Sequence, residues 1–309
     1  MIAVLPFYST QVLEYTNFLY WSFAVVAAII LGLVIFFTYR YTTKYTAKSP
    51  TDQPQSGSVS HKFEVFALIT SFLITVFFMF FTVQSMKEIQ TIPDDPKPDI
   101  IITGHQWWWE AEYPNSKVIT SNEVHIPAGK KVLLALNSAD VIHSWWVPEL
   151  GRKIDMIPGM TNYMWMYAEK PGEYLGTCSE FCGMQHARMR IRVIADDEAN
   201  FKKWQEEQLE PVITEGSALF EKGRNLFEQK TCTNCHAING TSYNENIGPN
   251  LTHFASRKRF LGDFKEVNTT NLRAWLHDPQ KVKEGAKMPN FILSDQELNA
   301  LVEYIIHLK

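Results

Sequence analysis

Cys178-Ser179-Glu180-Phe181-Cys182-Gly183-Met184-Gln185-His186-Ala187-Arg188-Met189 packs two thiols, an imidazole and a thioether into twelve residues. This is a soft donor set, suited to copper. Cys178 and Cys182 are four apart, so one tight loop can aim both sulfurs at one place. His186 follows four residues later and Met189 three after that. The other two cysteines open Cys232-Thr233-Asn234-Cys235-His236, the Cys-x-x-Cys-His spacing of covalent haem c attachment. A copper site and a haem on one chain imply electrons moving between them.

The copper loop needs a further imidazole from elsewhere in the fold. His143, in Asp140-Val141-Ile142-His143-Ser144, is the best candidate, and His125 and His105 read as satisfied core or surface histidines. Zinc could use the same Cys and His, but a structural zinc site closes with four Cys or His ligands and has no use for Met189. A disulfide between Cys178 and Cys182 is the other alternative. The chain's 309 residues leave room for about two domains. A formal charge of −4 gives no electrostatic support to nucleic-acid binding.

Upstream of the copper loop lie two uncharged apolar runs, from Asn17 to Tyr39 and from Val65 to Met86. Each exceeds the roughly 18 residues that mark a spanning helix. The first begins late and is long, so it reads as a retained span rather than a signal peptide. Met1 to Asn17 holds no Lys or Arg, while the connector holds Arg40, Lys44, Lys48 and Lys62. That asymmetry puts the connector in the cytoplasm and both termini outside, the side on which haem c is attached. The middle of the connector, Ser49 to Ser60, is rich in Ser, Pro and Gln and reads as a mobile segment. Glu64, at the cytoplasmic edge of the second run, reads first as an interfacial cap.

Four parts follow: an N-terminal hairpin over 1–96, a β domain over 97–195, a charged linker over 196–216 and a helical domain over 217–309. Val132-Leu133-Leu134-Ala135-Leu136 is a β run, and Met189, Ile191 and Val193 alternate with Arg188, Arg190 and Arg192 as in a strand with one buried and one wet face. Short strands of this kind suggest a β-sandwich or barrel. A short helix is expected around Asn200 to Glu207. In the last part, Ala218, Leu219, Leu226 and Phe227 fall at helical spacing, and Ser294-Asp295-Gln296-Glu297 is a capping-box signature ahead of the apolar face Leu298, Leu301, Val302 and Ile305. His236 is the expected proximal ligand of the haem iron. Met288, in a loop between helices, is the expected distal ligand, with His253 and His277 as competitors.

The Cys-x-Glu-x-Cys-x-x-x-His-x-x-Met pattern, the upstream Asp140-Val141-x-His143-Ser144, the two-span hairpin and the run Gly104-His105-Gln106-Trp107-Trp108-Trp109 together resemble cytochrome c oxidase subunit II, from about Thr16 to Ala195. Residues 217–309 resemble a class I cytochrome c, including Gly248-Pro249-Asn250-Leu251 and the Trp275 helix. Such a domain behind subunit II resembles the cytochrome-c-fused haem–copper oxidases. The resemblance implies a multi-domain membrane protein: a two-helix transmembrane hairpin, an all-β cupredoxin barrel and an all-α cytochrome c domain.

It further implies a dinuclear CuA centre held by His143, Cys178, Cys182, His186, Met189 and the backbone carbonyl of Glu180. The Glu180 carboxylate would face a magnesium ion at the boundary with subunit I. Trp107 would serve electron entry, and Glu64 would match the mouth of a proton path. The sequence departs from the family in lacking the Trp and Pro usual after that Glu, and in having Trp108 where Tyr is commoner. The implied setting is the bacterial cytoplasmic (inner) membrane. The implied partners are subunit I, subunit III and an upstream donor, either a quinol-oxidising complex or a cytochrome c. The rival readings are a CuA component of a nitrous or nitric oxide reductase, a quinol oxidase subunit that lost its copper, and a membrane-tethered copper carrier.

Overall fold

A computed structural model describes residues 10–44, 61–212 and 215–309. The connector over 49–60, with Lys48 ahead of it, lies outside the described residues. Two compact units emerge, Thr10–Thr91 and Ile92–Lys309.

The first unit is a pair of helices, α1 (Thr10–Lys44) and α2 (His61–Gln90). Their apolar stretches, Thr16–Arg40 and His61–Gln84, run for 25 and 24 residues, enough to cross a hydrocarbon core. They are apolar on all faces, the mark of a span rather than of a surface helix. The two helices run antiparallel, with Phe23 stacked on Phe78 at 5.7 Å and Phe37 against Phe63 at 6.1 Å. The Ser71, Thr75 and Thr82 hydroxyls each donate to the carbonyl four residues back, so no hydroxyl of these three is left bare among apolar side chains. Glu64 sits in the first turn of α2, exposed, 3.7 Å from His61 Nδ1.

The second unit opens with ten strands: β1 (Ile100–His105), β2 (Trp108–Tyr113), β3 (Val118–Ser121), β4 (Glu123–Pro127), β5 (Lys131–Ser138), β6 (His143–Trp146), β7 (Ile154–Met156), β8 (Asn162–Tyr167), β9 (Gly172–Cys178) and β10 (Arg190–Asp196). They form two five-stranded sheets, β3-β2-β1-β5-β8 and β4-β10-β9-β6-β7. Pairing is antiparallel except between β1 and β5 and between β4 and β10. Trp109, Tyr113, Trp145, Leu134, Leu136 and Met156 fill the space between the sheets. The run Val132 to Leu136 is buried at every position, and β5 pairs on both edges, with β1 and β8. On β10 the alternation departs from the sequence expectation at one place. Arg190 is exposed but Arg192 is buried, held by Asp263 and Glu173.

The expected linker helix is longer than its apolar signal, spanning Glu198–Leu209 (α3). Asp197 caps it, accepting the Asn200 N–H at 2.9 Å. Trp204 of α3 stacks on the His125 ring at 4.1 Å and meets Tyr113 edge-on at 5.2 Å, which docks the helix on the β domain.

The remainder is helical apart from a two-stranded ribbon: α4 (Ala218–Gln229), β11 (Arg259–Phe260), β12 (Lys265–Glu266), α5 (Thr269–His277), α6 (Pro279–Val282) and α7 (Asp295–Ile306). The Ser294–Glu297 capping box is present at the start of α7. The buried face of α4 is Phe220, Gly223, Leu226 and Phe227, and of the residues noted at helical spacing Ala218 and Leu219 are exposed. Gly223 is what allows α4 to cross α7 closely. A Cβ there would run into the Ala300 carbonyl and lie 2.7 Å from Tyr304 Cβ.

Candidate copper and haem sites

The copper loop is hung between two paired strands. β6 starts at His143 and β9 ends at Cys178, with Trp145 opposite Cys178 in the ladder. The loop returns through a 3-10 turn over His186–Arg188, and the Cys178 N–H closes it on the Met189 carbonyl at 3.0 Å. The donors expected from sequence converge. Cys178 Sγ and Cys182 Sγ are 3.8 Å apart, and His143 Nδ1 is 3.9 Å from Cys178 Sγ. His186 Nδ1 and Met189 Sδ each lie 3.7 Å from Cys182 Sγ, and the Glu180 carbonyl oxygen is 3.2 Å from Cys178 Sγ. Both thiols are free, and their separation far exceeds the ~2.05 Å of a disulfide. It is within the span of two metal–thiolate bonds of ~2.3 Å. Two thiols, two imidazoles, a thioether and a carbonyl therefore fit a copper centre by donor chemistry and by spacing.

Surrounding groups orient the donors. The Asp140 carboxylate lies 2.9 Å from His143 Nε2, so that nitrogen carries the proton and Nδ1 is left as the free base facing the sulfurs. Asp140 also accepts the Gln106 and Val141 N–H groups. Burial works against its charge, but these hydrogen bonds outweigh it and its carboxyl is held below the usual range. A hydrogen bond shared with Cys182 draws the Cys178 thiol well below its ordinary range and raises that of Cys182. The pair surrenders its first proton readily. Gly104 gives the His143 ring its room, since a Cβ there would sit 2.9 Å from Cδ2. The Cys182 carbonyl receives two donors, Gln106 Nε2 at 2.8 Å and the Trp107 indole N–H at 2.9 Å.

The haem-attachment motif opens on a cavity of about 430 Å³. Cys232, Cys235, His236 and Met288 line it, amid apolar side chains such as Phe227, Leu251 and Trp275. The His236 Nδ1–H donates to the Pro249 carbonyl at 2.8 Å, which leaves Nε2 unprotonated for a metal. Burial lowers the pKa of this imidazole and keeps it neutral. Gly248 fits against its ring, where a Cβ would approach Cε1 to 2.5 Å. Neither competitor for the distal position lines the cavity: His253 Nε2 faces the Gln208 carbonyl, 3.1 Å away, and His277 ends α5. Because the Gln208 carbonyl only accepts, His253 Nε2 is the donor there. An apolar cavity with two thiols and an imidazole on one wall and a thioether among its lining fits haem c.

Arg257 and Lys283 also line this cavity, 8% and 5% exposed, and no Asp or Glu does. Burial pushes Lys283 down to about 8 and Arg257 down to about 10. Arg257 donates to the Asn250 carbonyl at 2.7 Å while its Nε has no partner.

Four residues of the β domain complete the cavity wall: Gln106, Trp107, Trp108 and Asn122. Trp107, at 8% exposure, is therefore neither at a surface nor free. Lys283 Nζ donates to its carbonyl at 2.8 Å and to Leu261 O at 3.4 Å. Arg192 holds Asp263 through Nε at 2.6 Å and Nη2 at 3.1 Å, and both Arg192 and Lys258 pair with Glu173. Gln185 donates to the Glu284 carbonyl.

Sequence reading did not single out Gln106, Arg257 or Lys283. In Gln280-Lys281-Val282-Lys283, Lys283 has the same local signal as the exposed Lys281. A lysine five residues ahead of Met288 was the one available hint.

Comparison with known proteins matches residues 116–196 to the periplasmic domain of cytochrome c oxidase subunit II and residues 220–309 to cytochrome c. Cytochrome c oxidase subunit 2 of Alkalihalophilus pseudofirmus is 40% identical over 223 residues, 70% of this chain and 64% of that one. The chain thus spans just under two thirds of that relative's length. Cytochrome c oxidase subunit 2 of Bacillus sp. strain PS3 is 30% identical over 277 residues, 83% of this chain and 77% of that one. The crystal structure of the periplasmic domain of subunit II from Bradyrhizobium japonicum is 36% identical, covering 37% of this chain and 95% of that one, with a TM-score of 0.35. With two apolar helices, a cupredoxin-like β-sandwich and a cytochrome c domain in that order, the chain belongs to the cytochrome c oxidase subunit II family.

Proposed function

We propose that this chain is the electron-relay subunit of a terminal haem–copper oxidase. Electrons enter at haem c, pass to CuA and leave for a catalytic subunit I, where oxygen is reduced to water and protons are pumped. The observation that carries the reading is the shared wall. Trp107 lines the haem cavity and donates its indole N–H to the carbonyl of Cys182 in the copper loop. When bound, haem c and CuA supply two one-electron couples, so that one electron lost by reduced haem iron is gained by the oxidised copper pair.

In this reading Cys232 and Cys235 carry the haem through thioethers, and His236 and Met288 are the axial ligands of its iron. His143, Cys178, Cys182, His186, Met189 and the Glu180 carbonyl hold copper. The half-exposed Glu180 carboxylate serves a magnesium ion shared with subunit I. Both termini and the two redox domains lie on the periplasmic side, in keeping with the basic connector. Subunit III and an upstream donor complete the assembly, and Glu64 belongs to the entrance of a proton path. The convergence of every copper donor disfavours a copper-free quinol oxidase subunit, although Quinol oxidase subunit 2 of Bacillus cereus is 29% identical over 206 residues. A copper carrier has no need of the haem domain.

Metal and haem content with near-infrared and visible spectra of the purified complex test the reading. The expected result is a copper pair and one haem c per chain, with electrons placed on haem c redistributing to CuA. Exchangeable single copper, or no redistribution, overturns it.

A further inference from the structure

Lys283 is buried at the seam between the two domains, and none of its partners is a carboxylate. Two of its three ammonium N–H donors are met by carbonyls, Trp107 O at 2.8 Å and Leu261 O at 3.4 Å. No salt bridge involves it among the described residues. Its side chain lines the haem cavity, whose lining holds cations but no Asp or Glu. A buried ammonium without a counter-charge is costly and persists where a bound group supplies the anion. The haem expected here carries carboxylates as its only ordinary anions. On its other side Lys283 lies within electrostatic reach of Cys182 and Arg188 of the copper loop. The Trp107 carbonyl it holds belongs to the residue whose indole N–H reaches Cys182 O at 2.9 Å.

We propose that Lys283 is the positioning residue that couples the two redox sites, taking a haem carboxylate on its cavity side while holding Trp107, and through Trp107 the Cys182 carbonyl, on its copper side. The proposal rests on the electron-relay reading above and adds the route: haem carboxylate, Lys283, Trp107, Cys182. Hydrogen bonds from Lys283 to the Trp107 carbonyl and from the Trp107 indole to the Cys182 carbonyl would link the two sites across the domain seam.

The test uses the intact oxidase with Lys283→Met and Lys283→Arg. Three quantities are read: the visible and near-infrared bands of haem c and CuA, the haem c midpoint potential, and the rate of electron redistribution from haem c to CuA after rapid photoreduction. With Lys283→Met both chromophores are expected to stay. The haem c potential is expected to fall, because a cation that favours the reduced haem is gone. Redistribution is expected to slow by about tenfold or more, as positioning losses do. Lys283→Arg, which keeps charge and donors, should restore the potential. Unchanged potential and rate in Lys283→Met would overturn the proposal. Loss of haem or copper in both variants would also overturn it, since Lys283 would then be a structural residue only. Failure of redistribution in the unmodified oxidase would instead remove the electron-relay reading itself.

Discussion

Asp140 shows how much of the copper site is decided by one side chain that binds no metal. Its carboxylate fixes the His143 tautomer, accepts two backbone N–H groups and lies 3.4 Å from Lys287 of the cytochrome domain. Asp140→Asn keeps the size and removes the carboxylate that fixes the His143 tautomer. Copper affinity is expected to fall by about 10- to 100-fold, the usual effect of losing such a partner. Copper retained after dialysis against a chelator, followed by the near-infrared band, measures it. Equal retention in the variant and the parent would contradict the role. The convergence of the candidate donors was legible because four of the residues lie within one short loop and their types are chemically restrictive. Asp140 was visible only as part of a motif. Lys283 was invisible, because its burial is created by a domain that folds over it from 176 residues away in sequence.

At the scale of elements, α3 is more than a tether. Its Trp204 stacks on His125, which sits between Asp196 Oδ2 at 2.7 Å and Glu123 Oε1 at 3.4 Å. Burial opposes protonation of His125, but the two carboxylates prevail and raise its pKa. A folded-state pKa above the unfolded value gives stability that is complete below about 6.5 and is lost as pH rises through the raised folded value. His125→Gln should therefore cost about 1 kcal/mol at pH 6 and progressively less toward pH 9. Thermal unfolding of parent and variant across that range measures the gap, and a gap that widens with pH would exclude the clamp. Sequence periodicity found α3, β5 and the capped α7, because each carries its own local pattern. It read Arg192 as wet, and by spacing alone it did not separate the exposed Leu219 from the buried Phe227, since partners distant in sequence decide both. Gly223 lets the turn around Phe220 face α7, and Asp263 draws Arg192 inward.

For the molecule as a whole, charged groups cross the seam between the β domain and the cytochrome c domain. Arg192 is buried with both Asp263 and Glu173 on it. Asp263→Ala leaves that guanidinium short of its main partner and should destabilise the unit by about 3 kcal/mol. Calorimetry of the full chain reads the loss, and an unchanged melting temperature would mean the pair holds nothing together. The order of modules was legible from three local signatures, but the contacts that join the β domain to the cytochrome c domain were not. No local pattern announces that Glu173, Arg192 and Lys258 will find each other.

The enclosure of Trp107 bears on how respiration is wired in the organism that makes this chain. The Trp107 indole is roofed over by the chain's own cytochrome c module, so under the relay proposed above a visiting carrier would meet that module before the copper loop. An oxidase of this build would accept whichever donor fits the haem module's outer surface, and exchanging that module would change the supplier without altering the copper beneath.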